Sequence, residues 1–402
     1  MLGVLSMTVL TACSSDDGPS MPDNGSSIAP DKEDADYVWM SFDISNAGFP
    51  QSKAAASRAS DSQGHPEEAG SVEENYIDCD NGDFTLLLFD DNSQFIKYLD
   101  KTDYEIRRVE SVSDYTKYTL RAKVHADYFD YAKGDQVQFS LLLVANLAGV
   151  TSSYDPFKGI PFLSYFNDIS RQLQSFEYTT SGTGSWMPSL TSKRYIPMSG
   201  IRKFSISLGN LMASNSATPC QLGTIDMQRS MVKLRFLDNV EASTGKTIKN
   251  ILITGVNMHG AFIPSCDSAP NWANATCPVE KASVSSDWYD ANRYAPGIQG
   301  RYTDPDSKIE FKSFTMYVTE YSDDAIPAGA TPSRITITLN DTATNTDTNY
   351  VLTLSELGVQ QLARNHIYEF LVKFKPEEPT KLYLEFTVDN WVLAPDVNIG
   401  FN

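Results

Sequence analysis

Apolar and polar residues alternate with a period of two along most of this chain. In YVWMSFDI (Tyr37 to Ile44), Val38, Met40, Phe42 and Ile44 fall on one face and Tyr37, Trp39, Ser41 and Asp43 on the other, the pattern of a half-buried β-strand. FTLLLFD (Phe84 to Asp90), YTLRAKVHA (Tyr118 to Ala126), QVQFSLLLVANL (Gln136 to Leu147) and RKFSISL (Arg202 to Leu208) read the same way or as short apolar runs. SMVKLRF (Ser230 to Phe236) is expected to complete this first set. A second set runs through IKNILITGV, KIEFKSFTMYV, RITITLN, YVLTL, HIYEFLVKF and LYLEFTVDNW. Helical periodicity is scarce, and one short helix is expected over Leu354 to Asn365. Two sets of strands predict an all-β fold of two tandem β-sandwich domains, residues 37–240 and 241–402, with few short helices.

The 402 residues are enough for two domains with cores of their own, and 41 % hydrophobic with 21 % charged content is a globular composition. A net charge of −19 without a basic stripe excludes nucleic acid as a partner and favours solubility. His65, His125, His259 and His366 are dispersed, and no HExxH, GxSxG or P-loop occurs, so neither an enzyme nor a cofactor or metal site is expected. DCDNGD (Asp78 to Asp83) has its Gly and last Asp in the wrong order for a calcium loop and reads as a turn. Cys266 and Cys277 share one loop and are candidates for a disulfide in an oxidising compartment. Cys79 and Cys220 are far apart in sequence, which does not pair them.

The first residues, MLGVLSMTVLTAC, are too short an apolar run to span a bilayer and have the character of a secretory signal. The absence of a Lys/Arg-rich start leaves room for a start further upstream. LTAC (Leu10 to Cys13) resembles a bacterial lipobox, which implies removal of the leader and acylation of Cys13; a plain cleaved signal is the alternative. The following SSDDG is similar to the acidic surface-export signal of Bacteroidota lipoproteins. Residues 14–36, rich in Ser, Asp, Gly and Pro, read as a flexible acidic tether.

Three landmarks follow in order: RYIPMSG (Arg194 to Gly200), DMQRSMVKLRF (Asp226 to Phe236) and RNHIYEFLVKF (Arg364 to Phe374). With FTLLLFDDNSQF and SLLLVANLAG, they make the chain from Tyr37 to Asn402 resemble the fimbrillins, the pilus subunits of Bacteroidota type V fimbriae. The resemblance implies two transthyretin-like β-sandwiches. It implies a structural subunit of surface fimbriae that supports adhesion and is carried to the outer membrane by its lipid anchor. The implied partners are other fimbrial subunits, a maturation protease, and a ligand on a host or bacterial surface; no cofactor is implied. In that family a trypsin-like protease cuts behind the first strand, and Arg58, with Lys53 second, occupies the matching place in SKAAASRAS. The strand carrying Val38, Met40, Phe42 and Ile44 is then lost, and the C-terminal strand of another subunit fills its groove. DVNIGFN, with Val397, Ile399 and Phe401 at spacing two, is the candidate donor, while Leu382 to Trp391 reads as a last structural strand. Two alternatives stay open: an uncut anchor or tip subunit, and a surface lipoprotein that binds glycan through Trp272, Trp288, Tyr289 and Tyr294.

Overall fold

The computed structural model describes residues 36–45, 73–79, 83–109, 117–130, 132, 134–147, 176–177, 186–240, 244–263, 284, 286–304, 307–375 and 378–390. In chain order the first strands are β1 (Tyr37–Ser45), β2 (Phe84–Phe89), β3 (Phe95–Leu99), β4 (Tyr104–Arg108), β5 (Lys117–His125) and β6 (Gln136–Ala145). Then come β7 (Phe176–Glu177), β8 (Met198–Ser207), the one-turn helix α1 (Leu208–Met212), β9 (Cys220–Asp226), β10 (Gln228–Arg229) and β11 (Val232–Asp238). They are followed by β12 (Lys246–Asn257), β13 (His259–Gly260), β14 (Tyr289–Pro296), β15 (Ile298–Thr303), β16 (Glu310–Val318) and β17 (Tyr321–Ser322). The last are β18 (Arg334–Asp341), β19 (Thr346–Thr353), β20 (Gln361–Leu362), β21 (His366–Lys375) and β22 (Glu378–Asn390).

Four sheets carry the fold. One has the order β4-β5-β1-β9 and a second β10-β8-β6-β2-β3, and their apolar faces enclose one core. A third, β15-β16-β11-β21-β22, packs on a fourth, β14-β12-β18-β19, around another. The all-β character and the two sandwiches agree with the strand pattern. β5 alternates buried and half-exposed residues because only one of its faces meets the core, whereas β6 is buried without interruption from Phe139 to Ala145. In the second core Phe236 stacks on Phe370 with ring centres 4.6 Å apart, and Phe386 of β22 lies 5.7 Å beyond.

Two expectations are corrected. β11 does not complete the first set: it lies at the centre of the third sheet, antiparallel to β16 and parallel to β21. Its period shows that a strand forms there but carries no information about its non-local partners, so a division at residue 240 falls after this strand rather than before it. The helix expected over Leu354 to Asn365 is one 3-10 turn, Ser355–Leu357, followed by β20. Gly358 at φ 78° ends that turn, and the spacing of Leu354, Leu357 and Leu362, which all pack on the second core, mimics a helical face. Leu382 to Asn390 does form a structural strand, the outer part of edge strand β22.

Candidate functional site

The site is the place of β1. This strand is interior to its sheet: antiparallel to β5, with Val38 opposite Val124 and Phe42 opposite Leu120, and parallel to β9 from Met40 opposite Cys220 onward. Val38, Met40, Phe42 and Ile44 all point into the core and are 2 % exposed or less. Burial of four such side chains is worth roughly 6–12 kcal/mol as an upper bound, comparable with the about 5–15 kcal/mol that stabilises a whole domain. Loss of β1 would open an apolar groove walled by two unpaired strand edges.

The outer face of β1 is held as well. The Arg121 guanidinium lies 6.0 Å from the Trp39 ring centre and donates to the carbonyl of Ser216, and Lys123 Nζ sits 5.4 Å from the Tyr37 ring. β9 has not yet come alongside at Trp39, whose backbone N–H instead donates to Ser214 Oγ at 2.9 Å. That hydroxyl donates in turn to the carbonyl of Leu211 at 2.6 Å, so α1 and the loop behind it complete the wall. Further along, β9 slips register between Ser41 and Asp43, next to Gly223 at φ 86°. The wall closes where Met227 N–H donates to Ser45 O at 2.8 Å. Burial pushes the Asp226 carboxyl up to about 6, against the opposing pull of Arg202.

The chain re-enters the described structure at the 3-10 turn Glu73–Asn75, which is buried at the junction of the two sandwiches. Glu74 Oε1 accepts from Lys233 Nζ of β11 at 2.9 Å and from the Tyr317 hydroxyl of β16 at 2.5 Å. Arg229 donates to the Glu74 carbonyl at 3.2 Å, to Asn75 Oδ1 and, at 3.2 Å, to Asn365 Oδ1. Burial lowers the Arg229 guanidinium to about 10, Glu74 opposing.

All three sequence landmarks meet here. The carbonyl of Phe262 receives one donor from each: Ser199 Oγ at 2.8 Å, Ser230 Oγ at 3.0 Å and Arg364 Nη1 at 3.1 Å. Arg364 is fully buried and paired with Glu320 at 2.6 Å. Gly200 closes its motif because a methyl group there would lie 2.6 Å from the Asp226 carbonyl oxygen. In SLLLVANLAG, Asn146 adopts φ 65° and donates to the carbonyls of Tyr76 and Ile196 at 2.7 and 2.8 Å, accepting from Asp78 N–H at 3.1 Å. The motifs thus describe a polar junction inside the molecule. The alternation of Lys233 and Arg235 with apolar neighbours in SMVKLRF was the available signal for it, since β11 is buried on both faces from Val232 to Leu237.

The remaining expected residues divide simply. Val38, Met40, Phe42 and Ile44 are placed as expected. Cys13, Lys53, Arg58, Cys266, Cys277, Trp272, Val397, Ile399 and Phe401 lie outside the described residues. Of the aromatic group, Trp288 packs 6.3 Å from the His259 ring and the Tyr289 hydroxyl donates to the Thr331 carbonyl, so both serve contacts within the chain. Among the described residues no helix is long and apolar enough to cross a membrane, and no group of three or more His, Cys, Asp or Glu is placed to hold a metal ion.

These features define a two-sandwich, all-β chain whose first strand is an interior strand of an open sheet. No family profile and no curated protein matches the sequence. Among solved structures the chain is similar to the tip fimbrial protein Mfa3 from Porphyromonas gingivalis with a C-terminal truncation, at 10 % identity and a TM-score of 0.47, over 88 % of this chain and 100 % of that one. It is also similar to a fimbrial assembly protein from Parabacteroides distasonis, at 12 % identity and a TM-score of 0.44, over 88 % of this chain and 96 % of that one. Likeness at this level carries no function across.

Proposed function

We propose that this chain is a structural subunit of cell-surface fimbriae, exported as a lipoprotein through Cys13 and assembled by exchange of its first strand. The observation that carries the reading is the position of β1: fully buried on its inner face, interior to the sheet, and followed by a Lys53- and Arg58-bearing segment of Ala and Ser. A cut at Arg58 or Lys53 removes the covalent tie of β1 to the body of the protein. The retained side remains seated through Glu74 and Asn75. A strand from another subunit can then restore both the backbone pairing and the apolar contacts, which is the general physics of strand addition. The implied partners are further subunits, a protease specific for basic residues, and the outer membrane.

The test is limited digestion of the purified full chain with trypsin, followed by N-terminal sequencing and by gel analysis without heating. A new N-terminus at Ala59 or Ala54 together with a ladder of detergent-resistant polymers is expected. The reading fails if the nicked chain keeps β1 and stays monomeric, or if a variant with Arg58→Ala and Lys53→Ala polymerises as well as the parent.

A further inference from the structure

An edge strand offers its open N–H and C=O groups to any strand that comes alongside, and proteins blunt such edges with basic residues, proline, short strands or an irregular ladder. Among the described residues, the edge strands of the four sheets follow this rule with one exception. β4, β14 and β15 carry arginine, β3 and β22 carry lysine, β9 slips register beside Gly223, and β10 has two residues. β19 has none of these. Its sequence TDTNYVLT lacks Pro, Gly, Lys and Arg, and it pairs with β18 in unbroken register from Thr346 opposite Asp341 to Thr353 opposite Arg334. The strand is open to solvent from Thr346 to Asn349, and Val351 is 52 % exposed. We infer that β19 docks on β19 of a second copy of this chain, antiparallel about a two-fold axis at Asn349, with Asp347 of each copy opposite Val351 of the other. The inference does not rest on strand exchange; where subunits are polymerised, the same contact repeats and joins polymers side by side.

The axis follows from the backbone groups that remain open. Leu354 N–H donates to the Ser333 carbonyl at 3.2 Å, on the β18 side. Backbone groups alternate along an antiparallel strand, so Leu352, Tyr350 and Thr348 also face β18, whereas Thr353, Val351, Asn349 and Asp347 face away. The outward N–H of Thr353 is already taken by the Glu356 carboxylate at 2.7 Å. The open set is therefore Asp347, Asn349 and Val351, centred on Asn349. A copy turned about that residue sets Asn349 against Asn349 and Val351 against Asp347, and every open N–H meets a carbonyl. Centring on Tyr350 or Val351 brings the occupied Thr353 amide opposite an open carbonyl. Centring on Thr348 or Asp347 carries Val351 past the strand into the turn at Asn345, which has φ 54°.

The side chains suit this pairing. Two copies of net charge −19 repel at a distance, so a shared edge has to be locally neutral. Asp347, the single charged residue of β19, is bound by Lys249 Nζ at 2.5 Å and by Asn340 Nδ2 at 2.8 Å. About the Asn349 axis the two Asp347 side chains lie at opposite ends of the ladder, and each exposed Val351 is covered from the other strand. On the inner face Tyr350, packed 6.2 Å from the Phe374 ring, meets Thr348 of the second copy. The ladder is shorter than a standard interface requires, so a Kd on the order of 10–100 μM is expected.

Sedimentation velocity on the uncut full chain, without protease, tests the contact apart from strand exchange. The parent is expected to shift from monomer to dimer as its concentration rises to about 500 μM. Asn349→Pro removes the outward N–H at the axis and spares the β18 ladder, and should weaken the dimer at least about tenfold. Asn349→Asp keeps an oxygen for the Thr338 hydroxyl, which donates to Asn349 Oδ1 at 2.9 Å, but sets two like charges face to face. It should weaken the dimer at least about fivefold with an unchanged melting temperature, and it decides the matter if the proline variant melts early. On oxidation Asn349→Cys should link to itself, and Asp347→Cys should link to Val351→Cys in a mixture, with the unsubstituted chain as background. A parent that stays monomeric at about 500 μM, or a dimer indifferent to Asn349→Asp, overturns the inference. Val351→Cys or Asp347→Cys linking to itself faster than Asn349→Cys overturns the assigned axis.

Discussion

Glu74 and Lys233 meet at 2.9 Å with neither side chain exposed, across the junction between a turn that follows the candidate cleavage segment and the central strand of the second sandwich. Such a pair is weak evidence for net stability, but removal of one partner strands a charge in a low-dielectric interior. Glu74→Ala is expected to lower the unfolding free energy by about 3–5 kcal/mol, whereas Glu74→Leu combined with Lys233→Met recovers most of that loss. Denaturant midpoints of the three chains check this.

Ser214 holds β1 by the Trp39 amide, and the effect is local. Ser214→Ala is expected to cost about 1 kcal/mol and to raise hydrogen exchange of the Trp39 amide roughly fivefold. Amides in β11 and β21 should exchange as before, which separates a loosened first strand from a general loss of stability. Exchange followed by mass spectrometry on the uncut chain reads both.

Gly200 is needed for the close approach of β8 to the end of β9. Gly200→Ala places a methyl group 2.6 Å from the Asp226 carbonyl oxygen and 2.9 Å from Met227 Sδ. The first contact is with backbone and cannot swing away, so a loss of about 1–3 kcal/mol is expected. Thermal unfolding of the variant against the parent measures it.

Asp226 makes stability depend on pH in an unusual sense for a carboxylate. Its folded pKa is raised to about 6, so the ionised form is disfavoured in the fold. The penalty is absent below the unfolded value near ~3.9, grows between there and about 6, and is complete above it. After discounting for partial exposure, Asp226→Asn should stabilise the chain by about 1 kcal/mol at pH 7.5 and by nothing measurable at pH 4. Paired melting curves at the two pH values decide it.

How much of this was legible depended on whether the relevant contact is local. The four inward residues of β1 were readable from alternation alone, because one face of a strand repeats every second residue. The landmarks were visible as motifs but their work was not. Ser199, Ser230 and Arg364 lie far apart in sequence and converge only because the fold brings them to one carbonyl, that of Phe262. For the same reason β11 was assigned to the wrong sandwich: its neighbours β16 and β21 are remote in the chain. Leu354 to Asn365 failed differently, since Leu354, Leu357 and Leu362, packed on the core from a turn and a two-residue strand, reproduce helical spacing without a helix.

The seating of Glu73–Asn75 has a mechanical side. A pull on the chain ahead of Glu73 reaches Arg229 on the edge strand β10 and Lys233 on β11, a strand flanked on both edges within its sheet. The share carried by Lys233 therefore enters at the middle strand of a five-stranded sheet rather than at its edge.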